Sequence, residues 1–338
     1  MGYGGLILKI LVVFTGGTIG SVVNDGYISP SDNTRYQLIE KYNSLAKREV
    51  DFEYDEPYTL LSEDVTGEYL GKLGECLLAH KDKDYDGIIV THGTDTVQYS
   101  AASMAYLLQG INKPVIFVSS NYVLDDPRAN GLDNFAYAVE FIVNKQGTGV
   151  FAVYRNGDGV VYVHRGNRLL PHLPCDDNLY SVGDMYYGHY EKNRFVPNPN
   201  YRVTASDKKY EMSLPKKWNS GILRIFPYPG MEYPKLSEQT RAVILDSYHS
   251  GTICSITPGM KEFFATAKAK NIPVFLAGSN PGTDYESVKE WKELGVYTLP
   301  QASPIAMYIK LWMIMDLEGI LDGMSVNDIM MLSVSEDF

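Results

Sequence analysis

Short apolar runs of strand length alternate along this chain with segments whose apolar positions recur at helical spacing. Residues 7–14 (ILKILVVF), 87–91 (GIIVT) and 114–118 (PVIFV) read as strands buried on both faces. Segments 36–47, 68–81, 97–108 and 134–143 read as the helices around them. Strand, turn and helix in repetition predict parallel β-α units joined by right-handed crossovers. Runs 150–154 and 160–163 then predict a hairpin around Asn156-Gly157-Asp158-Gly159. A polar stretch rich in Lys, Asn and Pro covers 192–219. Beyond it the alternation restarts, with strands at 222–226, 242–245 and 274–276 and helices at 262–269, 286–293 and 302–315. The expected fold is α/β: a larger N-terminal domain (1–195) with a mainly parallel sheet between helices, a linker region (196–219) and a smaller C-terminal α/β domain (220–338).

Length agrees, since 338 residues at about 150 per domain suggest two domains. The AVILMFWYC set makes up 45% and charged residues 21%, enough apolar material for a core and too much for a disordered chain. Thirty basic against forty-one acidic residues leave a net charge of −11. That balance argues against nucleic acid or an anionic membrane as the main partner. Cys76, Cys175 and Cys254 are odd in number and far apart, which argues against a disulfide framework or a thiolate metal site. The six histidines form no HxxxH pair, so that zinc signal is absent as well. No apolar run approaches the ~20 residues that span a bilayer. Lys9 interrupts the first run, which fits a buried strand better than a signal peptide. The expected compartment is the cytoplasm.

Ligands of open parallel sheets gather at the carboxyl ends of strands. Two such ends are polar and glycine-rich: 15–20 (TGGTIG) and 91–96 (THGTDT). Their spacing fits neither GxGxxG nor GxxxxGK, and no lysine follows, so a nucleotide site is poorly supported. A threonine hydroxyl becomes a nucleophile where a base and oxyanion donors surround it. Glycines let backbone N–H groups approach a substrate closely. Taken singly, either turn also fits a tight structural connection, and His92 reads as a structural histidine.

Taken together and in this order, the two turns resemble the paired signatures of bacterial-type L-asparaginases. Arg128-Ala129-Asn130-Gly131 with Asn134 is similar to the segment that follows them in that family. Arg165-Gly166-Asn167-Arg168 resembles a stretch of its cytoplasmic type I branch, and Tyr248 to Gly251 a turn of its second domain. The resemblance implies two α/β domains, a homodimer or homotetramer, and no metal or cofactor. It implies hydrolysis of the side-chain amide of L-asparagine, or a related amide, to acid and ammonia. Carried over, Thr18 is the nucleophile, and Tyr27 activates it and helps close the site. Ser62 holds the substrate α-carboxylate, Asp95 pairs with the α-amino group, and Thr94 stands beside the scissile amide. Gly17, Glu63, Gly93, Ser120 and Asn121 complete the expected substrate contacts.

Several positions depart from the family pattern. The register set by Arg165 to Arg168 puts Pro171 where the family has a lysine that supports the second threonine. Proline offers no donor and no titratable group, and the guanidinium of Arg168 is too basic to serve as a general base. Glu63 brings a negative charge beside the expected carboxylate site, which disfavours free asparagine if it points inward. Ser119-Ser120-Asn121-Tyr122-Val123 replaces the usual loop after the third strand, and Thr252 replaces an asparagine. Asp284 and Glu286 are candidates for the acidic residue supplied across a dimer. Two expectations follow: an amide hydrolase, with its substrate shifted away from asparagine in one form, or a non-catalytic homologue that binds an amino acid or amide.

Overall fold

The first strand, β1 (Leu8–Phe14), is the axis of the first unit: Ile10 to Val13 are fully buried, with neighbours on both faces and both edges. The computed structural model describes residues 8–31, 34–46, 48–204, 210, 212–213, 215, 221–254, 256–278, 285–315 and 324–338. They fall into two compact units, one ending at Arg202 and one beginning at Val203.

After β1 come β2 (Ser21–Asn24), β3 (Tyr27–Pro30), α1 (Thr34–Leu45), β4 (Val50–Asp55) and α2 (Gly67–His80). β5 (Gly87–Thr91), α3 (Val97–Leu107), β6 (Pro114–Val118), α4 (Gly131–Val143) and β7 (Gly149–Arg155) continue the β-α alternation. β8 (Val161–Arg165), β9 (Gly188–Glu191) and β10 (Arg194–Pro197) complete the unit. The main sheet has the order β10-β9-β8-β7-β6-β5-β1-β4. Strands β4, β1, β5, β6 and β7 are parallel, while β7 to β10 pair antiparallel. The expected hairpin is present as β7–β8. β10 enters the polar stretch 192–219, where Val196 and Pro197 pair with His189 and Gly188.

Period-two alternation sorts the central strands onto two faces. Ile10, Val12 and Phe14 join Ile89, Ile116 and Phe151 against α1 and α4. Leu11 and Val13 join Ile88, Val90 and Phe117 against α2 and α3. Each fully buried Ile, Leu, Val or Phe contributes about 1.5–3 kcal/mol relative to exposure. These rows are therefore what holds the helices on both faces.

The helix positions correct one expectation. β1–α1–β4 runs outward over the first face, and β4–α2–β5 and β5–α3–β6 run back over the second, so these three crossovers share one hand. β6–α4–β7 continues in the same direction but over the first face, which gives it the opposite hand. If the common set is the right-handed one that twisted sheets favour, this crossover is left-handed. With α2 and α3 already on the second face, α4 is what covers Ile116 and Phe151 on the first. Phe135 of α4 packs against Tyr42 of α1 and Phe52 of β4, at ring-centroid distances of 5.4 and 5.8 Å.

The loop after β1 carries structure of its own. It contains the β2–β3 hairpin, closed by Asp25 at φ 50° and Gly26 at φ 82°. Asp-Gly with both residues left-handed is the two-residue turn that matches strand twist.

The second unit contains β11 (Ile222–Ile225), β12 (Ala242–Leu245), α5 (Pro258–Ala269), β13 (Val274–Leu276), α6 (Ser287–Glu293), β14 (Val296–Thr298), α7 (Pro304–Met315) and α8 (Val326–Met330). Its sheet is parallel, in the order β11-β12-β13-β14. Val243, Leu245, Phe264 and Trp291 form its core. Lys310 and Asp337 make a fully buried ion pair at 2.9 Å.

Phe135 has no exposed surface. Phe135→Ala is expected to cost about 3–5 kcal/mol by emptying the α1–α4 contact, read as a lowered urea midpoint.

Candidate active site

Strand order fixes where a site can form. From β1 the chain moves to β4 on one side, and from β5 it moves to β6 on the other. Connections that diverge from adjacent strands leave a crevice at their carboxyl ends. The two threonine turns flank that crevice, Thr18 after β1 and Thr94 after β5.

Backbone contact draws the turns together. Gly17 has φ +75°, and a Cβ there would overlap the Gly93 backbone N. Gly16 has φ +96°, and a Cβ there would overlap the Leu60 carbonyl. Gly17 N donates to Leu60 O at 2.9 Å, and Thr15 Oγ1 donates to Thr91 O at 2.6 Å. Only glycine permits these approaches, so the loops after β1, β4 and β5 form one knot. Thr18 opens a short 3-10 turn, Thr18–Gly20, and is half-buried, as is Thr94. Among the described residues neither hydroxyl has a protein hydrogen-bond partner.

Ser62 and Asp95 also meet here, although 33 residues separate them. Asp95 N donates to Ser62 Oγ at 3.2 Å, and that hydroxyl points to Asp95 Oδ2 at 3.4 Å. Thr96 Oγ1 donates to Ser62 O at 2.8 Å. Gly93 is again required, because a Cβ there would overlap Ser62 Oγ. Glu63 is exposed on the 3-10 turn Ser62–Asp64.

Other expected residues stand apart or are committed elsewhere. Tyr27 is 76% exposed beside the β2–β3 turn, and among the described residues no hydrogen bond ties it to Thr18. Ser120 is fully buried, with its hydroxyl donating to Tyr122 O and accepting from Gly131 N. Asn121 Oδ1 accepts from Asn130 N while Asn130 Oδ1 accepts from Asn121 N. Asn134 bridges Ser119 O and Arg155 N. Thus the 128–134 segment stitches the ends of β6 and β7 together, using the Ser120 hydroxyl and Asn121 Oδ1 to do so. Glu286 is exposed just before α6, and Asp284 lies outside the described residues.

The segment leading to Pro171 is tied down differently. Gly166 packs against the carbonyl of Ala101 on α3, where a Cβ would come within 2.8 Å. Arg168 is fully buried, donates to Arg202 O at 2.7 Å and lies over the Tyr201 ring at 4.7 Å. Leu170 N donates to Tyr180 O. Arg168 is therefore no stand-in for the missing ammonium.

His92 is a packed, neutral group. Nδ1 bonds Gly93 O and Nε2 bonds Ser100 Oγ, both at 2.8 Å. Burial lowers its pKa to about 4, and burial alone lowers that of His164 to about 3.

The asparaginase N-terminal family description matches residues 9–170. That match lies within the first unit, which is thus similar to the asparaginase family. It is 34% identical over 162 residues to L-asparaginase 1 of Escherichia coli strain K12, covering 47% of this chain and 46% of that protein. It is 29% identical over 241 residues to a component of the glutamyl-tRNA(Gln) amidotransferase of Saccharolobus solfataricus, covering 66% of this chain and 51% of the relative. The matched stretches thus span about half the length of these curated relatives. In fold, the thermostable L-asparaginase from Thermococcus kodakarensis superposes with a TM-score of 0.75 at 21% identity, over 96% of this chain and 97% of that one. The asparaginase fold therefore extends through both units.

Gly17→Ala combines left-handed strain of about 1–3 kcal/mol with a backbone overlap, so its unfolding midpoint should fall well below that of the wild type. The buried histidines fix a pH dependence. Below the ordinary value of 6.5 the unfolded chain takes up protons that folded His92 and His164 refuse until pH falls to about 4 and about 3. Stability should therefore drop as pH falls from 6.5 toward 4, by up to ~1.4 kcal/mol per pH unit for each imidazole, measured by urea unfolding across that range.

Proposed function

We propose that the protein is an amide hydrolase of the asparaginase type, with Thr18 as nucleophile and L-asparagine or a related amide as substrate. One observation carries this reading: Gly17 packs on Gly93 and so sets two uncommitted threonine hydroxyls on adjacent strand ends, beside the Ser62–Asp95 pair. In the reaction, Thr18 Oγ attacks the amide carbonyl, and its proton passes toward the leaving nitrogen. Backbone N–H groups of the glycine turns suit the tetrahedral oxyanion. Collapse releases ammonia, and water then hydrolyses the acyl-enzyme. Asp95 has no ion-pair partner among the described residues, which leaves its carboxylate for the substrate ammonium. Ser62 Oγ suits the α-carboxylate. Closure brings the exposed Tyr27 over Thr18, and the working form is a homodimer or homotetramer.

Glu63 shapes the choice of substrate. A carboxylate beside the Ser62 subsite repels a free α-carboxylate, which favours an amide whose carboxylate is blocked. Pro171 supports a second reading, in which the pocket binds an amino acid or amide without turnover, because loss of one member of a catalytic unit costs orders of magnitude in rate.

Ammonia release is measured with L-asparagine, L-glutamine, D-asparagine and α-blocked amides. Turnover of at least one is expected, and Thr18→Ala should abolish it with the fold intact. Activity unchanged in Thr18→Ala would refute the nucleophile. Thermal stabilisation by these ligands without ammonia from any would establish the binder instead. Pro171→Lys is expected to raise hydrolysis of L-asparagine if the missing ammonium limits the rate.

A further inference from the structure

We propose that Asp55, Cys76 and His80 form a site for a thiophilic divalent cation of the zinc class, which clamps edge strand β4 to the last turn of α2. A carboxylate oxygen, a thiol sulfur and an imidazole nitrogen lie there within 4.8 Å of one another. Cys76 and His80 are four residues apart on α2, so they share a helix face. Asp55 ends β4, where its register opposite Val13 fixes its place. Two backbone elements thus bring three donors of different chemistry to one point.

Asp55 Oδ2 and His80 Nε2 are 2.7 Å apart, while His80 Nδ1 is buried and has no hydrogen-bond partner among the described residues. The His80 side chain is only 12% exposed, whereas that of Asp55 is 39% exposed and opens a path from solvent. One sulfur, one nitrogen and one oxygen form a three-ligand set that leaves a fourth position for water. Bonds of about 2.0–2.3 Å in a tetrahedral array put ligand atoms roughly 3.3–3.8 Å apart. A thiolate and a carboxylate also balance the charge of a divalent ion. In the metal-free protein burial and the Asp55 carboxylate keep the Cys76 thiol protonated, so the cation displaces one proton to solvent as the metal–sulfur bond forms. The wide spacing of the three cysteines argues against sites built from several thiolates; this one needs a single thiolate.

Cobalt(II) titration of the full chain carrying Cys175→Ser and Cys254→Ser tests the site with Cys76 as the sole thiol. The expected result is a thiolate-to-cobalt charge-transfer band in the near ultraviolet that saturates at a single equivalent and is displaced by zinc. Cys76→Ser should remove the band. His80→Gln, which retains the thiol, should weaken binding about 10-fold or more. Zinc should raise the thermal midpoint of the native chain and leave that of folded Cys76→Ser unchanged. Absence of the band, or a band unaltered by His80→Gln, would overturn the proposal.

Discussion

The backbone contact between Gly17 and Gly93 is the constraint on which the candidate site depends. Adjacent strand ends in a parallel sheet lie about 4.8 Å apart, but the loops that leave them can separate. Left-handed glycine backbone removes that separation. With no Cβ at Gly16, Gly17 or Gly93, three loops close on one another, and the residues beside them converge. Thr15 bonded to Thr91 O secures the same junction just upstream. The cost is conformational: Gly16 and Gly17 accept φ values that other residues adopt only under strain.

The opposite-handed crossover through α4 belongs to the same arrangement. It sends the chain after β6 across the strand ends through a long loop, whose polar groups are then spent on internal bonds. Asn121 with Asn130, and Asn134 with Ser119 and Arg155, make that loop a brace. Family-like polar residues at strand ends thus divide into two kinds. Some are left free at the crevice, and others are consumed in holding the strands that form it.

Burial decides a similar division among the titratable groups. His92 adjoins the crevice in sequence, yet packing between Gly93 and Ser100 keeps it neutral and occupied on both nitrogens. Arg168 follows a family-like motif, yet it serves the backbone of Arg202 and the ring of Tyr201. Neither supplies the cation absent at Pro171. Asp95 remains the charged group at the junction, with no ion-pair partner among the described residues.

The alternation of apolar runs determined the main strands and helices, because two buried faces demand strand rows such as Ile10–Val13 whatever the topology. The pairing of the two threonine turns was legible too, since residue type and order carry it. Sequence did not reveal the β2–β3 hairpin, whose polar loop composition hid an Asp-Gly turn, or β10, whose pairing depends on β9. It could not show the hand of the α4 crossover, which follows from the face left uncovered once α2 and α3 were placed. Nor could it show that the Ser120 hydroxyl and Asn121 Oδ1 are bonded to the 121–131 loop, or that Asp55 meets Cys76 and His80. Those facts depend on distances between segments remote in sequence, and only the packing of strands and helices in the folded chain fixes them.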